Sequence, residues 1–406
     1  MFGYFSFWKI FLKNNNKYKD CFTEDFIRNS GVFFSKKKKK SMRNSWQEFV
    51  LQIKEYPIDK YRGRGIVICA GGFVYLTCAW VNIKMLRKLG CILPIEVWYE
   101  ENELSEGIIE ELNKLGVVCK NYFDYSNKKI HSYALKPFSI LHSAFEEVLF
   151  LDADNNCVKD PTFLFDTSVY DKYGCLFWPD IWETSLNNSI WDIIGCRPQN
   201  MREQESGQIL INKKKCWREL NLCMFFNENY EDYYQILLGD KDTFKFAWLA
   251  MDREYFMIDT PVAYCGYENE FKVFFGLTMV QHDLNGQILF LHRNLIKWAK
   301  TNNDEFFWTH IKRIVGENVK IYKPFISINE RKNLYLDIQG DVEVIPFVNL
   351  LGNYEYLCMD ILSSLRKEKF YLEYLLYLAS TMIRGNYMEN RANLFDKAKA
   401  TDYANF

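Results

Sequence analysis

The sequence predicts an α/β fold in which helices flank a mainly parallel central sheet, and three observations support this prediction. Short apolar runs of strand length alternate with stretches of helical periodicity between residues 65 and 151, a rhythm that is typical of βαβ units. Glycines end the first strand and the first helix, as turns require. The last apolar run of the series ends abruptly at Asp152 and Asp154, and its continuous apolar character is typical of a buried parallel strand.

Each element follows from its local pattern. The strand candidates are short apolar runs, and they cover residues 65–69, 94–99, 116–119, 148–151, 173–178, 207–211 and 287–291. The helix candidates have apolar residues at helical spacing, and they cover residues 73–89, 105–115, 134–144, 214–225, 242–251 and 361–382. Gly90 ends the first helix and Ser105 caps the second. We expect the last helical stretch to pack on the main domain.

These elements divide the chain into three parts. Residues 1–60 form a lead-in that is flexible or membrane-associated, residues 61–304 form the main ligand-binding domain, and residues 305–406 form a partly helical extension. The aromatic start of the lead-in is cut by Lys9 and Lys13. It is therefore too short for a membrane span of about 20 residues, but it suits peripheral contact with a membrane surface.

The composition excludes two classes of function. The formal net charge is -1, so no global positive field favours nucleic acid as a partner. The 12 cysteines include no closely spaced CxxC pair, so a zinc site is not expected. The lysine run Lys36–Lys40 is expected to be a solvated, disordered tether, with weak attraction to anionic lipid as the alternative.

Asp152 and Asp154 are the central functional candidates. Both lie at the carboxyl end of a predicted strand, where open α/β sheets bind ligands. A sharp bend there would turn both carboxylates toward one hard cation, and such a cation would neutralise a diphosphate. The pattern therefore indicates an enzyme that handles a phosphorylated donor such as a nucleotide-sugar. A phosphatase of the haloacid dehalogenase type is the alternative, but it places Thr or Val where this chain has Asn156.

Charged residues in other segments add to this site. Lys136 lies one helix upstream of Asp152 and could reach a donor phosphate as a point charge, with a surface position as the alternative. Glu205 lies near Gly207, a glycine that allows close backbone approach. His292 follows an apolar strand and could complete a metal shell, with a purely structural histidine as the alternative.

Five segments, taken in order, carry a family resemblance. They begin at Asp152, Phe177, Glu203, Gly239 and Phe290, and they read DADN with VKDP, FWPD, EQESGQILINK, GDKDTF and FLHRNLIK. Over about residues 62–300 the chain resembles the fungal-type α-1,2- and α-1,3-mannosyltransferases of glycosyltransferase family 71. The resemblance implies a GT-A fold that binds a nucleotide-sugar, a GDP-mannose donor, Mn²⁺ or Mg²⁺, and transfer with retention of anomeric configuration.

The resemblance also implies roles for single residues. By looser similarity to the glycogenin-like enzymes of family 8, Asp152, Asp154 and His292 would be metal ligands, and Lys136 would contact the donor phosphate. Asp240 and Asp242 would lie near the transferred sugar, although helix capping also explains both. The catalytic candidates are Glu205, Asp240 and Asp242. The remaining candidates are Gly71, Gly72, Tyr75, Asp152 and Lys297 on the donor side, and Trp178 and Asp180 on the acceptor side. Turn geometry alone explains the two glycines as an alternative.

The expected function is metal-dependent, retaining transfer of a hexose onto a hydroxyl of a glycan or glycoprotein acceptor. The resemblance favours mannose. A different nucleotide-sugar donor is one alternative, and a catalytically inactive carbohydrate-binding scaffold on the same fold is another. The family resemblance implies a Golgi or secretory-membrane location. The lack of a clear transmembrane anchor in the sequence favours a cytoplasmic protein, such as a viral one, as the alternative.

Overall fold

The computed structural model describes residues 26–270, 272–322, 325–328, 331–334 and 336–381. The N-terminal segment predicted to contact a membrane lies outside the described residues, as does the last residue of the predicted C-terminal helical stretch. Within the described part of the chain, no helix combines the length and the apolar character needed to cross a bilayer.

The strands form two large sheets and a small hairpin. Numbered along the chain, they are β1 Ile27–Arg28, β2 Arg64–Cys69, β3 Ile95–Tyr99, β4 Val117–Asn121, β5 Glu147–Asp152, β6 Asn155–Cys157, β7 Cys175–Thr184, β8 Arg202–Asn212, β9 Phe256–Met257, β10 Ala263–Glu268, β11 Phe274–His282, β12 Ile288–His292, β13 His310–Tyr322, β14 Phe325–Ile328, β15 Arg331–Leu334 and β16 Asp337–Pro346. The main sheet has the order β1-β7-β8-β5-β2-β3-β4, with β9 beside β7.

The main sheet confirms the predicted fold class. Strands β5, β2, β3 and β4 are parallel neighbours, and β8 alone of the long strands runs antiparallel to both β5 and β7. Both faces of the sheet are buried, as is usual for parallel sheets. Within β2, Ile66 and Ile68 enter one hydrophobic cluster and Val67 enters another. The carboxyl ends of β2 and β5 therefore share one edge of a rigid sheet.

The second sheet is antiparallel and was not predicted. Its order is β16-β13-β10-β11-β12-β6. The predicted strand over 287–291 corresponds to β12, but its neighbours β11 and β6 were not predicted. Strand β6 is only three residues long and polar, so it carries no apolar strand signal. The hairpin of β13 and β16 lies in the predicted C-terminal extension, so that region is part sheet as well as part helix. The domain boundaries stay predictions.

The helices cover both faces of the main sheet. They are α1 Lys36–Gln52, α2 Gly72–Lys88, α3 Glu106–Lys114, α4 Leu135–His142, α5 Ser168–Tyr173, α6 Ser189–Ile194, α7 Trp217–Glu228, α8 Tyr230–Tyr233, α9 Lys241–Ala250, α10 Phe347–Leu351, α11 Tyr354–Leu365 and α12 over residues 369–381. Ser105 occupies the position before α3 as predicted, but its side chain makes no capping hydrogen bond.

The lysine run Lys36–Lys40 forms the first turns of α1, so the prediction of a disordered tether is wrong. Ser35 caps the helix by accepting a hydrogen bond from the backbone amide of Lys38 at 3.2 Å. Trp46 is buried, and its indole donates to the carbonyl of Ile193 at 2.9 Å. The helix is ordered because its later turns carry apolar residues that pack against α6. The five lysines of its first turns make this amphipathic pattern hard to see in the sequence.

The antiparallel strands β7 and β8 are longer than predicted. The prediction began the second of them at Gly207, whereas β8 starts at Arg202. The residues between these two positions are polar but buried, including Glu203, Gln204 and Ser206. Glu203 and Ser206 pair with charged side chains that are distant in sequence, so the period-two apolar signal of a strand is absent there.

Candidate active site

The turn after β5 places the two aspartates between the two sheets. Asp152 ends β5 in the main sheet, and Asn155 begins β6 in the second sheet. Asn155 pairs with His292, the last residue of β12. The backbone amide of Arg293 donates to the carbonyl of Asp154 at 2.9 Å. This register brings the histidine beside the aspartates although the residues are far apart in the chain.

The imidazole of His292 lies among three carboxylates. Its Nε2 is 3.4 Å from Asp154 Oδ1 and 3.7 Å from Asp152 Oδ2. Its Nδ1 is 3.2 Å from Glu205 Oε1. One ligand atom from each of Asp152, Glu205 and His292 lies within 4.8 Å of the others, which is compact enough to hold a metal ion. Glu205 thus joins the group that the sequence had limited to the two aspartates and the histidine.

Gly207 makes the close approach of His292 possible. A Cβ atom at this position would overlap Nδ1 of His292 and would lie 3.0 Å from Oε1 of Glu205. The backbone amide of Gly207 also donates to Oε1 of Glu205 at 2.9 Å. The glycine is therefore required by the packing of the imidazole against β8.

Two lysines compensate the carboxylates. Lys136 Nζ lies 3.1 Å from Asp152 Oδ1 and 3.2 Å from Asp240 Oδ2, and it donates to Oγ of Ser206 at 2.8 Å. Lys136 is buried, so the alternative of a surface lysine is wrong. Lys297 forms an ion pair with Asp154.

Burial and charge act in opposite directions on the pKa values of this cluster. Burial would lower the pKa of His292, but the carboxylates of Asp154 and Glu205 raise it to about 10. Burial likewise opposes ionisation of Glu205, yet its hydrogen bond to His292 and nearby positive charges hold its pKa at about 2. Burial raises the pKa of Asp152, whereas Lys297 and His292 outweigh burial and lower that of Asp154. Charged carboxylates are thus concentrated around one imidazole, an arrangement that suits a divalent cation.

Asp240 reaches this cluster, but Asp242 does not. Asp240 precedes α9 without capping it through its side chain, and its Oδ2 accepts from Ser206 Oγ at 3.2 Å. Asp242 is fully buried, and its Oδ1 accepts from the backbone amide of Gln204 at 3.0 Å. Lys245 Nζ lies 3.2 Å from the same oxygen. The prediction that Asp242 is a catalytic carboxylate is therefore not supported, because its side chain has no exposed surface with which to touch a sugar.

Trp178 is also a correction, whereas the acceptor-side role of Asp180 stays a prediction. Trp178 is fully buried, and its indole donates to the carbonyl of His282 at 2.8 Å. It packs in the core and has no surface to offer an acceptor. Asp180 forms an ion pair with Lys241 at 2.6 Å and lines a cavity at the surface.

The turn from β2 into α2 contains Gly71 and Gly72, which were predicted, together with Tyr75, to contact the nucleotide-sugar donor. A Cβ atom on Gly71 would overlap the carboxylate of Glu103, and Gly72 has a φ of 65°. Local geometry therefore accounts for both glycines. Tyr75 is better placed, because Nζ of Lys297 lies 5.8 Å from its ring centroid and the same lysine binds Asp154.

Sequence reasoning missed several residues that support the site. Ser206 Oγ accepts a hydrogen bond from Lys136, and the side-chain amide of Asn155 donates to the carbonyl of Gly207 at 2.7 Å. Arg28 Nη2 lies 2.5 Å from Glu203 Oε1, and Lys241 Nζ lies 2.5 Å from Glu203 Oε2. The segment that contains Ser206 and Glu203 had been noted, but nothing local indicates the partner of Arg28.

Comparison with known proteins reveals related sequences. Residues 63–204 and 196–283 match the family model described as "Mannosyltransferase putative". The α-1,2-mannosyltransferase MNN22 of Candida albicans is 27% identical over 256 residues, which are 50% of this chain and 43% of that protein. The α-1,2-mannosyltransferase MNN2 of Saccharomyces cerevisiae is 27% identical over 297 residues, which are 60% of this chain and 49% of that protein. The chain thus spans about half the length of these relatives.

Solved structures show a weaker likeness. The galactosyltransferase LgtC, in complex with donor and acceptor sugar analogues, is 20% identical with a TM-score of 0.33, over 45% of this chain and 69% of that chain. The mannosyltransferase Ktr4p from S. cerevisiae is 12% identical with a TM-score of 0.32, over 56% of this chain and 79% of that chain. Scores of this size carry no argument about function. The family match, in contrast, extends over more than half of the 406 residues, and the chain therefore belongs to this fungal-type mannosyltransferase family.

Proposed function

We propose that this protein is a metal-dependent, retaining mannosyltransferase that moves mannose from GDP-mannose to a hydroxyl of a glycan or glycoprotein. The observation that carries the proposal is the convergence of Asp152, Asp154, Glu205 and His292 at the carboxyl edge of the main sheet. Family membership supports the sugar, since the relatives described above are named mannosyltransferases.

The donor atoms of this cluster fit a divalent cation such as Mn²⁺ or Mg²⁺. Carboxylate oxygens with one imidazole nitrogen are a suitable ligand set, and Nε2 of His292 lies 3.7 Å from Asp152 Oδ2 and 3.4 Å from Asp154 Oδ1. Asp152, Asp154 and the Nε2 of His292 would hold the ion. Its chemistry when bound is to place positive charge on the diphosphate of the donor. Glu205, which faces Nδ1, then acts by orienting the imidazole.

Two lysine side chains, those of Lys136 and Lys297, are positioned to bind the phosphates of the same donor. Lys136 is buried among Asp152, Asp240 and Ser206, so its ammonium group is held in one position and can stabilise a departing phosphate. Lys297 pairs with Asp154, and its Nζ lies 5.8 Å from the ring centroid of Tyr75. We expect the donor phosphates to bind near these two lysines at the end of β5.

Transfer with retention is proposed to proceed on the leaving-group face. The bond between the anomeric carbon and the phosphate oxygen breaks, the acceptor oxygen bonds to that carbon, and the acceptor proton passes to the departing phosphate. Glu205 Oε1 is engaged by His292 and by the backbone amide of Gly207, so it orients the imidazole rather than forming a covalent bond with the sugar. Asp240, held by Lys136 and Ser206, supplies a second carboxylate near the transferred sugar.

The test is donor hydrolysis by the purified full chain with Mn²⁺ and a panel of nucleotide-sugars. We expect turnover of GDP-mannose, which is lost with a chelator and in Asp154→Ala. Asp171→Ala is the matched control, because this aspartate is exposed at the end of α5 and should leave turnover intact. Turnover of another donor would correct the sugar. No metal-dependent turnover of any donor by folded protein would reject the transferase proposal and favour an inactive scaffold.

A further inference from the structure

A concave feature lies along β7, the neighbour of β8 on the side away from β5. It is a cavity of about 330 Å³, bounded by β7, the start of β8 and the segment from β9 to β10. Its polar lining includes Asp180, Arg202 and Asp259, and its less polar lining includes Tyr255 and Met257. This volume is at the lower end of the range for small-molecule sites, so the cavity suits a small ligand or the end of a larger one.

The strand register places this cavity next to Glu205. Trp178 lies opposite Glu205 in the pairing of β7 with β8, and Pro179 lies opposite Gln204. Neighbouring strands are separated by about 4.8 Å, so the cavity wall at Pro179 and Asp180 stands one strand away from Glu205. Asp152 stands one strand away on the other side, since β5 is the other neighbour of β8. The cavity and the donor side therefore flank the same carboxylate.

The charges of the cavity favour a neutral ligand with many hydroxyls. Arg202 is already engaged, because it donates to the carbonyl of Ile181 at 2.5 Å and lies 3.7 Å from a carboxylate oxygen of Glu183. The carboxylates of Asp180 and Asp259 also line the cavity, and Asp180 forms an ion pair with Lys241. The lining therefore offers a phosphate little excess positive charge, whereas carboxylates accept hydrogen bonds from sugar hydroxyls. The ring of Tyr255 adds an aromatic face.

We propose that this cavity binds the acceptor sugar, with Asp180 and Asp259 accepting hydrogen bonds from its hydroxyls and Tyr255 contacting its apolar face. This inference deepens the proposed function and rests on it, because it assigns the second substrate of the same site. Lys241 has a positioning role, since it holds Asp180 at 2.6 Å and is itself held by Glu203 at 2.5 Å. The acceptor hydroxyl then approaches the transferred sugar from the β7 side, opposite Lys136.

The experiment measures sugar binding directly, so that it does not depend on turnover. Saturation-transfer NMR on the full chain would use methyl α-mannoside, with methyl α-glucoside and methyl α-galactoside as the rest of the panel. Tyr255→Ala and Asp259→Asn should each weaken binding by about tenfold. Glu254→Gln is the matched control, because Glu254 adjoins Tyr255 in the chain, is exposed and does not line the cavity. It should bind as the unmodified protein does.

A kinetic split provides the second readout. With GDP-mannose as donor, the cavity variants should raise the KM for the methyl sugar about tenfold, with the KM for the donor within about twofold of the unmodified value. Asp180→Asn belongs to the same series, but it removes the ion-pair partner of the buried Lys241 and could unfold the protein. In that case the result for Asp259→Asn decides the test.

The outcomes separate this inference from the proposed function. No sugar binding by the folded protein, or binding that the cavity variants leave unchanged, overturns the acceptor site even where donor hydrolysis succeeds. Sugar binding that requires the cavity, in a protein that turns over no donor, supports the sugar site and rejects the transferase.

Discussion

His292 and Asn155 are direct partners in the second sheet, and their pairing sets the geometry of the candidate active site. Because of this register, Nε2 of the histidine faces the two aspartates and Nδ1 faces Glu205. The imidazole is thus placed by the backbone of β12 and not by a flexible loop. Residues on rigid elements keep their geometry better than residues on loops.

Replacing His292 with alanine should remove metal-dependent turnover. The substitution deletes the nitrogen that faces both aspartates, and we expect the affinity for Mn²⁺ to fall by at least about tenfold. Calorimetric titration with Mn²⁺ measures this directly. His310→Ala is the control, because His310 lies on β13 and contacts Thr309. Unchanged affinity in His292→Ala would contradict the assignment of this ligand.

Gly207→Ala should impair activity although it adds only one methyl group. The added Cβ would overlap Nδ1 of His292, so the imidazole must move away from the aspartates. We expect turnover to fall by at least about tenfold, since small displacements of positioned groups are costly. Gly107→Ala is the matched control, because a Cβ there meets nothing within 4 Å. Equal turnover in the two variants would show that the imidazole has more room than the structure indicates.

Asp154→Asn and Glu205→Gln should distinguish the two possible metal shells. If the aspartates and Nε2 hold the ion, Asp154→Asn should lower Mn²⁺ affinity more than Glu205→Gln, because glutamine still accepts a hydrogen bond from Nδ1. Titration of both variants at one pH gives the comparison. The reverse ranking would favour the group Asp152, Glu205 and His292, whose ligand atoms lie within 4.8 Å of one another.

Arg28→Met should destabilise the fold substantially. Arg28 lies 2.5 Å from Glu203 and 3.9 Å from Asp242, and all three side chains are almost fully buried. Breaking a buried ion pair by removing one partner typically costs about 3–5 kcal/mol of the free energy of unfolding. Arg313→Met is the control, because its partner Glu343 is half exposed and such pairs contribute at most about 1 kcal/mol. Chemical denaturation of both variants measures the difference.

The free energy of unfolding should fall between pH 6.5 and 4, in part because of His282. Burial and the charge of Arg313 lower its pKa to about 4, whereas the unfolded chain has a pKa of about 6.5. The pKa of His282 is depressed in the folded state because the fold favours the neutral imidazole. The contribution of His282 to the free energy of unfolding is therefore fully present above about pH 6.5. It is lost as acid protonates the unfolded chain first.

The variant His282→Gln isolates this contribution. A shift of this size corresponds to roughly 3 kcal/mol. The variant should therefore lose less stability than the unmodified protein over the same interval, as followed by urea unfolding at each pH. Part of the acid sensitivity should remain, because His142 also has a pKa lowered to about 4, mainly by burial. Identical pH profiles would show that His282 is protonated freely in the folded protein.

The parallel half of the fold could be predicted because each of its strands is a local apolar signal. The runs that became β2, β3 and β5 are buried on both faces, so they contain few polar residues to obscure the pattern. The same reasoning found Asp152 and Asp154, since a strand end is visible in the sequence. His292 was found for the same reason, at the end of β12.

The antiparallel half was harder because its signals are not local. The start of β8 is buried through ion pairs, and the partner of Glu203 is Arg28, 175 residues away. Strand β6 has only three residues, and its pairing with β12 is what defines it as a strand. Asp240 and Asp242 show the same limit within one helix turn. Their sequence context is nearly identical, yet one reaches the cluster at Lys136 and the other is enclosed by Lys245.

The shared turn after β5 has a consequence for how the protein responds to heat. A cation held by Asp152 from one sheet and His292 from the other would cross-link two sheets that the chain connects there through the short turn between β5 and β6. Ligands that bind only the folded state raise the melting temperature in proportion to the logarithm of their concentration. Manganese should therefore stabilise both sheets together. We expect a single melting transition whose midpoint temperature rises as the metal is added.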